Sequence, residues 1–205
     1  MNSAAFWDRI APRYAKQPIA DTSAYEATLA RVRTYLGSED RVLELGCGTG
    51  TTALRLAGDV LRYTATDISS AMIEIAEEKR WADGAGNVTF RQGGVTPAEY
   101  DAETFDAVLA FNLLHLVPDV GAALATVAQL LPRGGLFISK TPAIGEKWYY
   151  RPMIWVMKPL GKAPDVTFLT VPQIDRAIAA AGFEIIETGL YPPSTPSRFV
   201  VARKR

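Results

Sequence analysis

The nine residues Val42-Leu43-Glu44-Leu45-Gly46-Cys47-Gly48-Thr49-Gly50 constrain this chain more than any others. Val42 to Leu45 read as a buried strand, and a turn with Gly at every second position follows directly. Gly has no Cβ, so it enters φ > 0 readily and lets another molecule lie against bare backbone. Such a turn, leading from strand into helix, is where nucleotide-like ligands meet parallel sheets. An acid, Asp67, ends the next strand-like run, Tyr63-Thr64-Ala65-Thr66-Asp67. A carboxylate there can accept from both hydroxyls of a ribose.

The remainder of the chain supplies the sheet that such a turn needs. Strands are predicted at 41–45, 62–67, 87–92, 105–111, 134–140, 183–190 and 197–203. Helices are predicted at 22–36, 51–58, 69–82, 119–131 and 171–181. Asp119 precedes an apolar stripe at Ala122, Leu124, Val127, Leu130 and Leu131, Pro132 stops it, and Gly134-Gly135 turn the chain into the next strand. Strands alternating with helices argue for a parallel sheet covered on both faces. The last two runs are joined only by Tyr191-Pro192-Pro193-Ser194-Thr195-Pro196, too short for a crossover helix, so they should pair antiparallel. The expected fold is α/β and doubly wound: a mostly parallel seven-stranded sheet, helices on both faces, and an antiparallel last strand. One domain spanning 1–205 is expected, with 1–21 as an N-terminal cap and 142–170 as an insertion after the fifth strand.

The dinucleotide fingerprint is G-x-G-x-x-G. Here the third glycine comes one residue early, Thr51 follows it, and Glu44 stands two residues before Gly46. This pattern resembles the class I S-adenosylmethionine (SAM) dependent methyltransferases. The resemblance continues through Asp67-Ile68-Ser69 with Met72, Phe105-Asp106-Ala107-Val108-Leu109-Ala110, Leu131-Pro132-Arg133-Gly134-Gly135-Leu136 and Ala181-Gly182-Phe183, in family order over roughly residues 40–203. It implies a Rossmann-like methyltransferase fold, SAM as cofactor and S-adenosylhomocysteine as product. It also implies cofactor contacts from Glu44, Gly46, Cys47, Gly48, Thr49, Gly50, Asp67, Ile68, Met72, Phe111 and Asn112. Glu44 is placed for the ammonium of the methionine end, and Ile68 with Met72 for the adenine faces. Where relatives often carry an Asp after strand three, this chain has Gly94. Backbone of Gly94 and Val95, or the side chains of Gln92 or Glu99, would then meet the adenine edge.

Methyl transfer from a sulfonium needs alignment above all, and positioning supplies up to about 7–11 kcal/mol. A base is needed only when the acceptor must lose a proton. The chain's single histidine, His115, follows strand four, and an unperturbed imidazole titrates near ~6.5. It is either a proton acceptor or a structural residue at the start of a short helix. Tyr14 is a second candidate, as a gate or donor over the methionine end. Trp7 and, in the insertion, Trp148, Tyr149, Met153 and Trp155 are expected to choose the substrate. Lys147, Arg151, Lys158 and Lys162 lie among those aromatics, so 147–162 also reads as a membrane-surface patch.

Composition excludes several functions. The chain has 22 basic and 22 acidic residues, leaving no electrostatic footprint for nucleic acid. With one Cys no internal disulfide forms, and Cys47 has no neighbouring base to make it a nucleophile. No His, Cys or acidic cluster reads as a metal site. No run of about 18–20 apolar residues suggests a membrane span, and no signal-peptide pattern opens the chain, so a cytoplasmic protein is expected. No Asn/Asp-Pro-Pro-aromatic or Pro-Cys motif follows strand four, which disfavours base methylation. The expected activity is methyl transfer to a small or medium-sized, partly apolar organic acceptor, by a monomer or homodimer. The alternatives are a SAM-binding sensor without catalysis and, less favoured, a nicotinamide-dependent oxidoreductase.

Overall fold

Strand β1 (Arg41–Leu45) lies in the middle of the molecule, with Val42, Leu43, Glu44 and Leu45 all buried. A strand hidden on both faces must be an unbroken apolar run, and the one polar member here is Glu44. The structure is a computed structural model that describes residues 3–96, 100, 104–157, 163–191 and 197–205. Asn2, Glu99, Lys158, Lys162 and the 192–196 connection lie outside the described residues.

The remaining strands are β2 (Arg62–Asp67), β3 (Val88–Gln92), β4 (Ala107–Phe111), β5 (Leu136–Pro142), β6 (Phe183–Leu190) and β7 (Ser197–Lys204). They form one seven-stranded sheet in the order β3-β2-β1-β4-β5-β7-β6. β1 runs parallel to both β2 and β4, with Val42 opposite Tyr63 and Ala107. β7 alone is reversed, sitting between β5 and β6 and antiparallel to each. The last strand is therefore antiparallel as expected, and β6 rather than β7 forms the edge. The chain moves outward from β1 to β3 and then returns to the other side of β1 for β4. That reversal opens a crevice at the carboxyl ends of β1 and β4, where open α/β sheets hold their ligands.

Among the described residues the α-helices are seven: α1 (Ser3–Tyr14), α2 (Thr22–Arg33), α3 (Thr51–Leu56), α4 (Ser70–Asp83), α5 (Val120–Leu130), α6 (Tyr150–Met157) and α7 (Val171–Ala180). On one face Leu124, Val127, Ile174 and Ile178 of α5 and α7 pack on Leu43, Leu45, Val108, Phe137, Phe183 and Val200. On the other, Leu29, Val32, Ala53, Leu56 and Ala76 of α2, α3 and α4 pack on Val42, Tyr63, Ala65, Leu109, Ile138 and Val201. Each fully buried large side chain in these layers is worth about 1.5–3 kcal/mol.

Local chemistry sets the ends. Asp21 caps α2 by accepting from Ala24 N, Ser69 caps α4 through Met72 N, and Asp119 caps α5 through Ala122 N. Several expected boundaries shift. α2 stops at Arg33 because the next amides turn back three residues rather than four. α3 gives way at Ala57 to a 3₁₀ turn through Asp59. β4 begins at Ala107, two residues late, because Phe105 turns its ring into the core and its N–H donates to Leu130 O. β5 starts at Leu136, since Gly134 (φ 85°) and Gly135 are consumed by the turn, and continues to Pro142 opposite Ser197.

Candidate functional site

The glycine turn after β1 uses left-handed backbone at all three glycines: φ is 70° at Gly46, 54° at Gly48 and 75° at Gly50. The three are not equivalent. A Cβ on Gly46 would stand 2.8 Å from Leu113 Cδ1, and one on Gly50 would stand 2.6 Å from Phe90 Cζ. At Gly48 the nearest atom would be Tyr14 Cε1 at 3.8 Å, so here the bare backbone faces space under the Tyr14 ring. Thr49 is buried, and Lys79 Nζ donates to its carbonyl (3.0 Å) and hydroxyl (2.9 Å) and to Thr51 Oγ1 (3.1 Å). Lys79 thereby clamps the turn to α4. Burial holds the Cys47 thiol well above its ordinary range, with the charges of Glu44 and Asp67 adding to it, so this Cys is a packed side chain.

Two carboxylates stand on the same face of the sheet behind the turn. Asp67 Oδ2 accepts from Gly48 N (3.0 Å) and Oδ1 from Ser69 N (2.9 Å). Burial raises the Asp67 pKa against the opposing effect of these bonds. A carboxylate has about four acceptor sites, so the two backbone bonds leave capacity for sugar hydroxyls. Glu44 is 2% exposed and accepts from Tyr63 Oη at 3.0 Å. Its burial lifts its pKa to about 7, although the Tyr63 bond works the other way. Among the described residues no basic side chain forms an ion pair with it. A buried acid held this high suits an ammonium from outside the chain, which would restore its charged form.

The residues after β2 and β3 close one side. Ile68 is half-buried, and Met72 is 2% exposed, already packed under α4. Gln92 Nε2 donates to Ile68 O (3.1 Å), joining the two strand ends. Gly94 O accepts from Tyr100 Oη (2.8 Å), and Val95 O from Thr126 Oγ1 (3.5 Å). The backbone carbonyls of Gly94 and Val95 thus each accept a hydrogen bond from within the chain.

The other side is the turn after β4. Phe111 is half-buried, and Asn112 takes φ 55°, the one non-glycine in left-handed conformation among the described residues. Its N–H donates to Lys140 O at 2.7 Å. That twist lays Leu113 on Gly46 and starts the 3₁₀ turn Leu114–Leu116. His115 sits in this turn with its Nδ1 buried and without a hydrogen-bond partner. Burial lowers its pKa to about 4, not the unperturbed value the sequence suggested, so the ring is neutral at pH 7. Its carbonyl accepts from Thr167 N (2.7 Å), tying the insertion to the turn. Lys140, at the end of β5, donates to Thr28 Oγ1 (3.0 Å), and burial lowers its pKa.

Helix α1 lies over the crevice. Asp8 Oδ1 accepts from Ser69 Oγ (2.7 Å) and Ala71 N (3.2 Å), which fastens α1 to the start of α4. Trp7 stacks edge-on against Phe6 (5.3 Å) and Tyr14 (6.4 Å). Partial burial and then the charge of Asp67 raise the Tyr14 pKa, keeping its hydroxyl protonated. The insertion is different. Trp148 and Trp155 are each 79% exposed, and Tyr149 and Met153 are also exposed, so the structure does not bury these residues against the strand ends. Lys79, Asp8 and Tyr100 have structural contacts at the site that the sequence reading missed. Only Lys79 left a signal: Met72, Ala76 and Lys79 follow helical spacing along α4. A separate cavity of about 520 Å³, lined by Arg41, Arg62, Asn87 and Phe105 among others, opens at the amino ends of β1 to β3, away from this chemistry.

Comparison with known proteins agrees with this geometry. Residues 42–135 match the family described as "Methyltransferase domain". A ubiquinone biosynthesis O-methyltransferase of Methylocella silvestris is 33% identical over 157 residues, covering 73% of this chain and 60% of its own length. The chain spans less than two thirds of the curated relatives it matches first. Among solved structures, the DhpI–SAH complex superposes with a TM-score of 0.77 at 23% identity, covering 98% of this chain and 95% of that one. The [4+2]-cyclase SpnF superposes at 0.74 with 19% identity, covering 98% and 95%. Over residues 42–135 the chain thus matches the methyltransferase domain, and its motif order and strand order are those of the class I SAM-dependent methyltransferases that it resembles.

Proposed function

We propose that this chain transfers a methyl group from SAM to a small or medium-sized, partly apolar organic acceptor. The observation that carries the reading is the bare backbone at Gly48 with two carboxylates, buried Glu44 and half-buried Asp67, on one face beside it. When bound, SAM supplies a methyl on a sulfonium, ready for in-line displacement. In this reading Glu44 holds the ammonium, Asp67 accepts from the ribose hydroxyls, and Gly48 leaves room between them. Ile68, Met72, Gly94, Val95, Phe111 and Asn112 frame the adenosine, with Gly46, Cys47, Thr49 and Gly50 shaping the turn. Tyr14 and Trp7, on the capping segment 1–21, exclude water above it, and 142–170 borders the acceptor.

Burial lowers the His115 pKa to about 4, which makes it a weak base toward a neutral hydroxyl. We assign it to orient the acceptor and to take a proton at Nδ1 once bond formation has left the acceptor atom positively charged and acidic. The Methylocella relative is described as an O-methyltransferase of ubiquinone biosynthesis, so hydroxylated aromatics with an apolar tail are the first acceptors to test. Incubation with methyl-labelled SAM and such compounds should move label to the acceptor. A second reading, SAM binding without transfer, is favoured by the weak base at 115 and by the cyclase that shares the fold. Tight SAM binding with no label transferred to any acceptor would establish it instead.

A further inference from the structure

The insertion carries a helix that is apolar on its outward side as well as its inward one. A surface helix normally turns its apolar stripe inward and its polar side to water. In α6 the half-buried positions are Tyr150, Ile154 and Met157, while Met153, Trp155 and Val156 point outward, exposed at 45%, 79% and 55%. Trp148, 79% exposed, and Tyr149 extend the same outward surface, and no residue of α6 is buried. Isolated exposed apolar residues are ordinary, but five large ones on eleven residues are a patch, and a patch marks an interaction.

Charge selects the partner. From Lys147 to Pro164 the sequence holds Lys147, Arg151, Lys158 and Lys162 and no acid, in a chain with 22 basic and 22 acidic residues in all. The flanking Glu146 is turned the other way, its Oε1 accepting from Val171 N at the start of α7. Arg151 lies over the Phe168 ring at 5.2 Å, on the rim of the patch. Exposed Trp and Tyr ringed by Lys and Arg fit the headgroup level of a bilayer, where indole and phenol rings sit and anionic lipids attract the cations.

We propose that residues 147–157 dock this protein on an anionic lipid surface. The segment is not remote from the site: Gly145 N donates to Leu169 O (2.8 Å) and Thr167 N to His115 O (2.7 Å), so its base is stitched to the turn after β4. Docking sets the mouth of the crevice against the bilayer, where an acceptor with an apolar tail would be dissolved; this last point rests on the methyl-transfer reading, whereas the docking does not.

The test is sedimentation of the full chain with sucrose-loaded vesicles, either pure phosphatidylcholine or equal parts phosphatidylcholine and phosphatidylglycerol, at low salt and without SAM. The protein should pellet with the anionic vesicles and largely not with the neutral ones. Trp148→Ala with Trp155→Ala should weaken partitioning by roughly tenfold or more. Trp81→Ala, which removes an equally exposed Trp (76%) from α4, should leave it unchanged. No pelleting of the wild type overturns the proposal, as does equal pelleting of the double variant. So does a wild-type dimer by light scattering that the double variant turns into a monomer, since a second copy would then cover the patch. No outcome of this assay depends on methyl transfer, so its failure leaves that reading standing.

Discussion

At Gly50 an added methyl group has nowhere to go, with Phe90 Cζ at 2.6 Å and Ala76 Cβ at 2.8 Å from its position and a φ of 75°. Gly48 shares the left-handed backbone, but a Cβ there would meet only Tyr14 Cε1, at an ordinary contact distance of 3.8 Å. The two therefore separate fold from function. Gly50→Ala should lower unfolding stability by about 3 kcal/mol in urea titration, from overpacking plus backbone strain. Gly48→Ala should fold with a loss of only about 1–2 kcal/mol, yet weaken SAM binding roughly tenfold or more by calorimetry. Glu44 gives a pH signature. A cationic ligand selects its ionised form, and with a pKa near 7 that form is scarce at pH 5. SAM affinity should rise with pH up to about 7 and level off above it, with proton release on binding. Glu44→Gln should abolish both, as shown by calorimetry in two buffers of different ionisation enthalpy. At this scale the sequence revealed which residues face the crevice but not their protonation. The burial that moves Glu44 up and His115 down comes only with the tertiary fold.

Among the elements, α1 is fastened to the start of α4 by Asp8, which accepts from Ser69 and Ala71, and Phe6 and Ala11 are its buried residues. The Ser69 bond chiefly holds the Asp8 pKa low, so the latch is present at neutral pH and loosens as the pH falls into the carboxylate range. Asp8→Ala should speed amide exchange through Ser3–Tyr14 at pH 7 while the strands keep their protection. Element ends were legible where a turn residue enforces them. β1, β2 and β6 keep the expected bounds, because Gly46 and Ile68-Ser69 stop the first two and Gly182 (φ 89°) opens the third. Ends set by tertiary partners were not legible: Phe105 leaves the strand to fill the core, and Pro142 joins it only because Ser197 lies opposite. α6 was not among the expected helices: the aromatics of the insertion were visible in the sequence, but not that they would stand exposed on a helix.

For the whole molecule, two buried groups pull stability in opposite directions. Glu44 binds its proton more tightly when folded, so stability falls as pH rises from about 4.5 to about 7, by about 3 kcal/mol in all. His115 binds its proton less tightly when folded, so stability falls as pH drops from 6.5 to about 4, by a similar amount. The two nearly cancel between pH 4.5 and 6.5. Denaturant titrations should show Glu44→Gln gaining stability over the wild type as pH rises through that window, whereas His115→Asn loses it steadily. The overall architecture was the most legible level of all. Alternating strands and helices, one glycine turn and a short final connection specify the doubly wound sheet, and β7 lies reversed within it as the connection's length demanded. The proposed lipid contact of the insertion was legible as aromatics beside cations, a pattern read from composition alone.

The central claim is that the Gly48 backbone and the Asp67 carboxylate together receive SAM. Calorimetric titration of the purified chain with SAM, alongside NAD and Asp67→Ala, tests it most directly. Saturable SAM binding without NAD binding, weakened roughly tenfold to hundredfold in the variant, is the predicted result. No heat with SAM at millimolar concentration, or equal affinity after removal of the Asp67 carboxylate, would contradict it.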